Sequence, residues 1–199
     1  ATRLFADLGA EVIRVEPPGG LPDRARDTAA VPGGAEAFAF HNASKKSVVL
    51  DLSTNAGRAA LADLAREAQV VVLERGGPLG AADIAWLRSL NPTSVITHVS
   101  PFGIGGPLEG APASDLTLQA AGGIAWMTGR GEEPPLRLPA GQAGMVCSVY
   151  TAVATAVSLM DAETRGRGHI LDVSAQEAIA HSLQNAVQVW DLERRISHR

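Results

Sequence analysis

Only one cysteine, Cys147, stands among the 199 residues. That excludes a disulfide framework and a cysteine-ligated zinc site, and it fits a reducing compartment, so a cytoplasmic location is expected. Positive charge is in deficit: 17 Lys and Arg against 21 Asp and Glu give a formal net charge of -4, which argues against a nucleic-acid or anionic-membrane partner. No run of 18 apolar residues occurs, so no membrane span is expected. Residues Ala1 to Leu8 have the make-up of neither a signal peptide nor a transit peptide. Nucleotide fingerprints are missing as well. Gly103-Ile104-Gly105-Gly106 contains G-x-G, but Leu108 stands where G-x-G-x-x-G needs its last glycine, and no P-loop or Gly-x-Ser-x-Gly elbow is present. The five histidines, His41, His98, His169, His181 and His198, show no metal-ligand spacing, so no metal is expected. There is no initiator Met and no clear terminating signal, and the chain is expected to be a fragment of something longer.

What is present is an ordinary globular composition, 46% apolar, in a length that suits one domain or one and a half. Short β-branched runs recur at 11–15, 47–52, 69–73, 94–99 and 169–173. Val70 to Leu73 is apolar on both faces, as a buried parallel strand requires. Helical patterns lie between these runs. Thr54 is placed to cap a helix with an apolar stripe of Leu61, Leu64, Ala65 and Ala68. A second helix is predicted over Ala81–Ser89, stopped by Asn91-Pro92. A long one is predicted from Gly144 to Glu163, its apolar face being Met145, Val149, Val153, Ala156, Val157 and Met160. A final helix is predicted from Ala175 to Arg194. The alternation predicts an α/β fold with a Rossmann-like open, mostly parallel sheet and helices on both faces. Two long loops follow strands, at Pro17–Gly34 and Ser100–Pro112, and loops at the carboxyl ends of strands line the ligand crevice of such sheets.

Few single residues carry chemistry on their own. Cys147 reads as a small buried hydrophobe. His98 and His169 read as hydrogen-bonded strand residues, whereas His41, in a loop before a strand, is a candidate site-lining residue. Lys45-Lys46 reads more readily as a solvated pair than as a phosphate contact. Asp115 is best placed to cap the helix beginning near Leu116.

In order along the chain, however, these segments resemble family III CoA-transferases, the CaiB/BaiF family. Leu8-Gly9-Ala10-Glu11-Val12-Ile13-Arg14-Val15-Glu16-Pro17-Pro18-Gly19-Gly20 is similar to its first block. Asn42 to Leu52 is similar to the second. Phe102-Gly103-Ile104-Gly105-Gly106-Pro107 with Ser114 to Ala120 is similar to the third. Gly123–Gly129 with Pro134-Pro135, and Thr164 to Ser174, follow in step. The resemblance implies the large N-terminal domain over residues 1–199, without the first strand, the small domain and the returning C-terminal segment. It implies an interlocked homodimer, or pairing with a second CoA-transferase domain. The implied reaction moves CoA from an acyl-CoA to a small carboxylic acid, with no permanently bound cofactor. In it an Asp attacks the thioester to give a mixed anhydride and then an enzyme-bound CoA thioester.

The implied CoA-contact positions are Pro17, Lys45, Leu50, Ser53 and Arg75. Ser53 stands where the family has a lysine, and Glu74-Arg75 where it has Asn-Phe. The position of the nucleophilic Asp is Gly144, and neither Asp115 nor Asp161 occupies that place. No catalytic residue is therefore expected in this segment. The resemblance leaves open a non-catalytic half of a tandem or paired enzyme, a racemase-type relative, and an acyl-CoA-binding module.

Overall fold

The computed structural model describes residues 1–25 and 34–198. Its elements in chain order are α1 (Thr2–Asp7), β1 (Ile13–Glu16), α2 (Pro22–Ala25), α3 (Gly34–Asn42), β2 (Lys46–Val49), α4 (Asn55–Glu67), β3 (Val70–Glu74), a 3-10 turn (Ala81–Asp83), α5 (Ile84–Leu90), β4 (Val95–Ser100), α6 (Asp115–Ala121), α7 (Gln142–Arg165), β5 (Ile170–Ser174), α8 (Ala175–Ser182) and α9 (Gln184–Glu193). β1 and β2 form a parallel pair with Ile13 opposite Lys46 and Glu16 opposite Val49. β4 lies between β3 and β5 in the other sheet. Val95 N–H donates to Gln69 O and Ile96 N–H to His169 O, at 2.9 and 2.8 Å. The three strands thus begin side by side and run the same way, as the alternating pattern predicts.

The chain divides into two compact units. The first comprises 1–98 and 154–171, the second 99–153 and 172–199. In the first, Ala65, Leu73, Leu87 and Ile96 form the core, with Val71, Ile84, Trp86 and Leu90 packed against it. Leu87 and Ile96 are fully buried, each contributing about 2–3 kcal/mol of hydrophobic stabilisation. Thr54 Oγ1 accepts from Gly57 N–H at 3.0 Å and so caps α4, and the expected Leu61/Ala65 stripe is its buried face. In the second unit, Cys147, Ala175 and Ala178 form the core, joined by Val99, Leu118, Tyr150 and Val173.

Four expectations are corrected. The apolar stripe assigned to the long helix is not its buried face. Met145, Val149, Val153, Val157 and Met160 are between 39% and 69% exposed, whereas Ala143, Cys147, Thr151, Ala152, Thr155 and Ala162 are buried. Small side chains allow close approach, and the buried threonines are satisfied: Thr151 Oγ1 donates to Cys147 O at 2.7 Å, and Thr155 Oγ1 lies 2.9 Å from Thr97 Oγ1. Together the two faces make α7 long and apolar enough to cross a membrane by length and composition, which a count of uninterrupted apolar residues does not detect.

The helix predicted over Ala175–Arg194 is two helices, α8 and α9. Ser182 Oγ bonds back to Ile179 O at 2.6 Å and Leu183 N–H to Ala180 O at 3.1 Å, tightening the turn where α8 ends. The predicted loop at Pro17–Gly34 contains α2, and its stretch 26–33 lies outside the described residues. His41 belongs to the last turn of α3, not to a loop.

Gly57 shows how tightly α4 is seated: a Cβ there would lie 2.0 Å from Asp51 O. Gly57→Ala is expected to destabilise the protein by about 3 kcal/mol, and Thr54→Ala by about 1 kcal/mol, in urea denaturation. Equal midpoints for Gly57→Ala and the parent would refute the close approach.

Candidate functional site

In the first unit, polar groups gather around the strand pair β1–β2. Alternation puts Arg14 and Glu16 on one face of β1, and the parallel register sets Ser47 opposite Arg14. Glu16 is 1% exposed. Its carboxylate accepts from Arg24 Nη2 at 2.6 Å and Nε at 3.0 Å, and from Ser47 Oγ at 2.9 Å. It also lies 2.9 Å from Arg14 Nε. Arg14 reaches on to Asp23 and to Asn42 Oδ1, and Lys45 Nζ donates to the same Asn42 oxygen at 3.1 Å. Both Arg14 and Arg24 stack over the Phe38 ring.

Burial alone would push the Glu16 carboxyl up. The hydrogen bonds from Arg24 and Ser47 and the charges of Arg14 and Arg24 outweigh burial and hold it below its ordinary value. Lys45 is pushed down, first by burial and then by the Arg14 charge. It therefore differs from Lys46, which is exposed and pairs with Glu11, so the reading of two equivalent solvated lysines is corrected.

The five contact positions implied by sequence fall into separate places. Leu50 N–H donates to Glu16 O at 2.9 Å, so Pro17 and Leu50 meet at the carboxyl ends of β1 and β2. Ser53 lies in the turn that follows, where its N–H and Oγ both donate to Asp51 Oδ1. Lys45 is at the other end of β2, about 17 Å of extended chain from Leu50. The charge of Glu74, at the end of β3, reaches it there. Arg75 is exposed in the turn after β3, beside Gly76, whose φ of +87° favours glycine.

In the second unit, Gly144 lies in the first turn of α7, and a Cβ at this exposed position would meet nothing within 4 Å. The chain leading to it is fixed by two side chains. Gln119, fully buried, donates from Nε2 to Leu138 O at 3.0 Å and to Asp115 Oδ2 at 2.6 Å. Its Oε1 accepts from Leu138 N–H at 2.8 Å. Asp115 Oδ1 accepts from Ala143 N–H at 2.9 Å. Asp115 is therefore not the cap of its own helix: Ser114 is, accepting from Thr117 N–H. The thiol of Cys147 is pushed up by burial and is unsuited to nucleophilic work. Tyr150 Oη lies 2.7 Å from His181 Nδ1.

Sequence reasoning did not single out Glu16 and Arg24, nor the bracing of 138–143 by Asp115 and Gln119. Signals for both existed. Arg14 and Glu16 are two apart on a strand, and Asp115 and Gln119 are four apart on a helix.

The sequence model of CoA-transferase family III matches residues 1–199. The chain belongs to CoA-transferase family III. Among curated members, the chain is 38% identical over 202 residues to succinyl-CoA:(R)-benzylsuccinate CoA-transferase subunit BbsE of Thauera aromatica, covering 98% of this chain and 49% of that protein. It is 32% identical over 193 residues to acetyl-CoA:oxalate CoA-transferase of Acetobacter aceti, covering 95% and 50%. A probable CoA-transferase of Mycobacterium tuberculosis is 36% identical over 92% of this chain but only 23% of its own length. A CaiB/BaiF family protein from Brucella suis has a similar structure, with a TM-score of 0.86 at 25% identity over 98% of this chain and 53% of that one. The chain spans about half the length of the first two curated relatives.

Within this family III domain, replacing Glu16 leaves Arg14 and Arg24 without their shared carboxylate. Glu16→Gln is expected to cost about 2–3 kcal/mol, below the value for a fully buried pair because Arg24 is partly exposed. Since folding lowers the Glu16 pKa, its contribution is complete above the ordinary value of 4.5 and is lost as pH falls through the lower folded value. Denaturation from pH 7 to pH 3 should show parent and variant converging at the acid end. A gap that stays constant with pH would contradict the assignment.

Proposed function

We propose that the whole protein, acting in the cytoplasm, transfers CoA from an acyl-CoA to a small carboxylic acid. The observation that carries this reading is the family match along the entire chain, together with relatives whose names pair an acyl-CoA donor with an acid acceptor. Within that protein, the present domain is the half without a nucleophile. Gly144 occupies the place that the family resemblance gives to the reacting Asp, and a glycine offers no group to attack a thioester.

Two further observations support pairing with a second CoA-transferase domain that carries the carboxylate. The Thauera relative is named as a subunit. The Mycobacterium relative is roughly twice as long as the others, since similar shares of this chain cover 23% of it against 49% and 50% of them. The contribution of this domain to ligand binding is the set of loops at Pro17, Leu50, Ser53 and Arg75, with Lys45 supplying a half-buried ammonium.

The test is intact-mass spectrometry of the natural full-length protein after incubation with succinyl-CoA and with acetyl-CoA, followed by peptide mapping. A covalent CoA or acyl adduct outside residues 1–199 is the expected result. An adduct within 1–199 would overturn the non-catalytic reading, and CoA binding with neither adduct nor turnover would overturn covalent transfer. Gly144→Asp meets open space in the first turn of a helix, where a carboxylate is favoured. Its stability is expected to match the parent within about 0.5 kcal/mol by urea denaturation, so the variant also reports whether the nucleophile alone is missing.

A further inference from the structure

The second concentration of cationic side chains lies elsewhere in the first unit, at the amino ends of β4 and β5. A cavity of about 680 Å³ is bounded there by Arg88, Asp161, Arg165, Arg167 and His169. The sequence around Gly168 brings these groups together. Gly168 N–H donates to Pro92 O at 3.1 Å, and a Cβ on Gly168 would lie 1.9 Å from Ser94 O and 2.5 Å from Arg88 Nη1. Only glycine allows the lead-in to β5 to press against Arg88 in this way, and the side chains on either side of it, Arg167 and His169, then line the same cavity.

The charges in this cavity are unbalanced. Among the described residues its one carboxylate, Asp161, is engaged twice, by Arg165 Nε at 2.7 Å and by His169 Nε2 at 2.7 Å. Arg88 uses only Nη1, which donates to Pro92 O at 2.8 Å and Ser94 O at 3.1 Å. Its Nε and Nη2 have no partner among the described residues. Arg167 forms no hydrogen bond or ion pair among the described residues. Three guanidiniums against one carboxylate leave two positive charges with His169 counted neutral. After burial, the charge of Arg167 is what disfavours the Arg88 cation, the mark of two like charges held near one another without an anion.

We propose that the cavity bounded by Arg88, Arg167 and His169 is a binding site for the phosphate group of a small molecule. A phosphomonoester carries close to two negative charges at neutral pH and three strong acceptor oxygens, which match two uncompensated guanidinium forks. A carboxylate would cancel only one of the two charges. The volume leaves room for an organic group beyond the phosphate. The site stands at the amino ends of β4 and β5, whereas Pro17, Leu50, Ser53 and Arg75 follow the carboxyl ends of strands, so it is additional to the contact positions described above.

Titration calorimetry of the full-length protein at constant ionic strength tests the site, with inorganic phosphate and adenosine 3′,5′-bisphosphate as probes and chloride as the control. Phosphate is expected to bind. Arg167→Ala is expected to weaken binding about tenfold, and Arg167→Glu to abolish it. Arg167 is exposed and holds nothing in the fold, so these variants remain folded, whereas Arg88→Ala would also lose the Pro92 and Ser94 contacts. Tighter binding of the bisphosphate than of phosphate, by a margin that Arg167→Glu removes, assigns the site to a phosphorylated organic ligand, and equal binding assigns it to free phosphate. Equal affinity of parent and Arg167→Glu for phosphate, or phosphate no better than chloride, would overturn the proposal.

Discussion

A carboxylate with almost no access to solvent dictates much of what surrounds it. Glu16 is tolerable at the end of β1 only because donors converge on it from three directions. Each of these constrains another segment. Arg14 must sit two residues back on the same strand face, and Ser47 must face it across the β1–β2 register. Arg24 must be delivered by α2, which requires the chain to reverse at once after β1. The reversal uses Gly19 and Gly20 at φ of +90° and +81°, and any Cβ on Gly20 would already crowd Arg24 Cδ at 3.0 Å. Arg-Val-Glu-Pro-Pro-Gly-Gly is thus one physical unit, in which the turn exists so that a cation can return to the strand it has just left. Pro17 and Leu50 come together as a consequence.

The second unit solves the same kind of problem with one amide and one carboxylate. Gln119 is buried with both ends of its amide satisfied, and it joins α6 to the segment ahead of α7. Asp115 accepts the Ala143 N–H, one of the amides that a helix start leaves without an intrahelical partner. The long helix is therefore seated at its first turn by α6 and along its length by a face of alanines, threonines and Cys147.

These details explain which parts of the sequence were readable. Among the described residues the five strands stand within one to three residues of their β-branched runs, because strand position follows local apolar content. Thr54 and the Leu61/Ala65 stripe were equally legible, since capping and period are local. The face of α7 was not. Periodicity ranks Val149, Val153 and Val157 above Ala143, Cys147 and Thr151, but the burial of a helix against its neighbours is decided by how closely the backbones approach, and there small residues win. The break at Leu183 depends on one serine bonding back to its own helix. The Glu16 cluster needed the β1–β2 register, and the role of Asp115 needed a partner 28 residues away. Spacing marks only the local half of such contacts, Arg14 with Glu16 and Asp115 with Gln119, and leaves the distant partner unmarked.

The same separation between local and distant determinants bears on position 144. The backbone that presents it is held by Gln119 to Leu138 and by Asp115 to Ala143, and none of these bonds involves a side chain at 144. The space over Gly144 is open, so neither packing nor hydrogen bonding in the fold depends on which residue stands there. A change of residue at 144 is therefore expected to alter stability by almost nothing. The Glu16 cluster and the strand-end turns have no such freedom, because their side chains are also what holds β1, β2 and α2 in place. Physical constraint thus holds the turns at the ends of β1 and β2, while the fold places no demand on the side chain at 144.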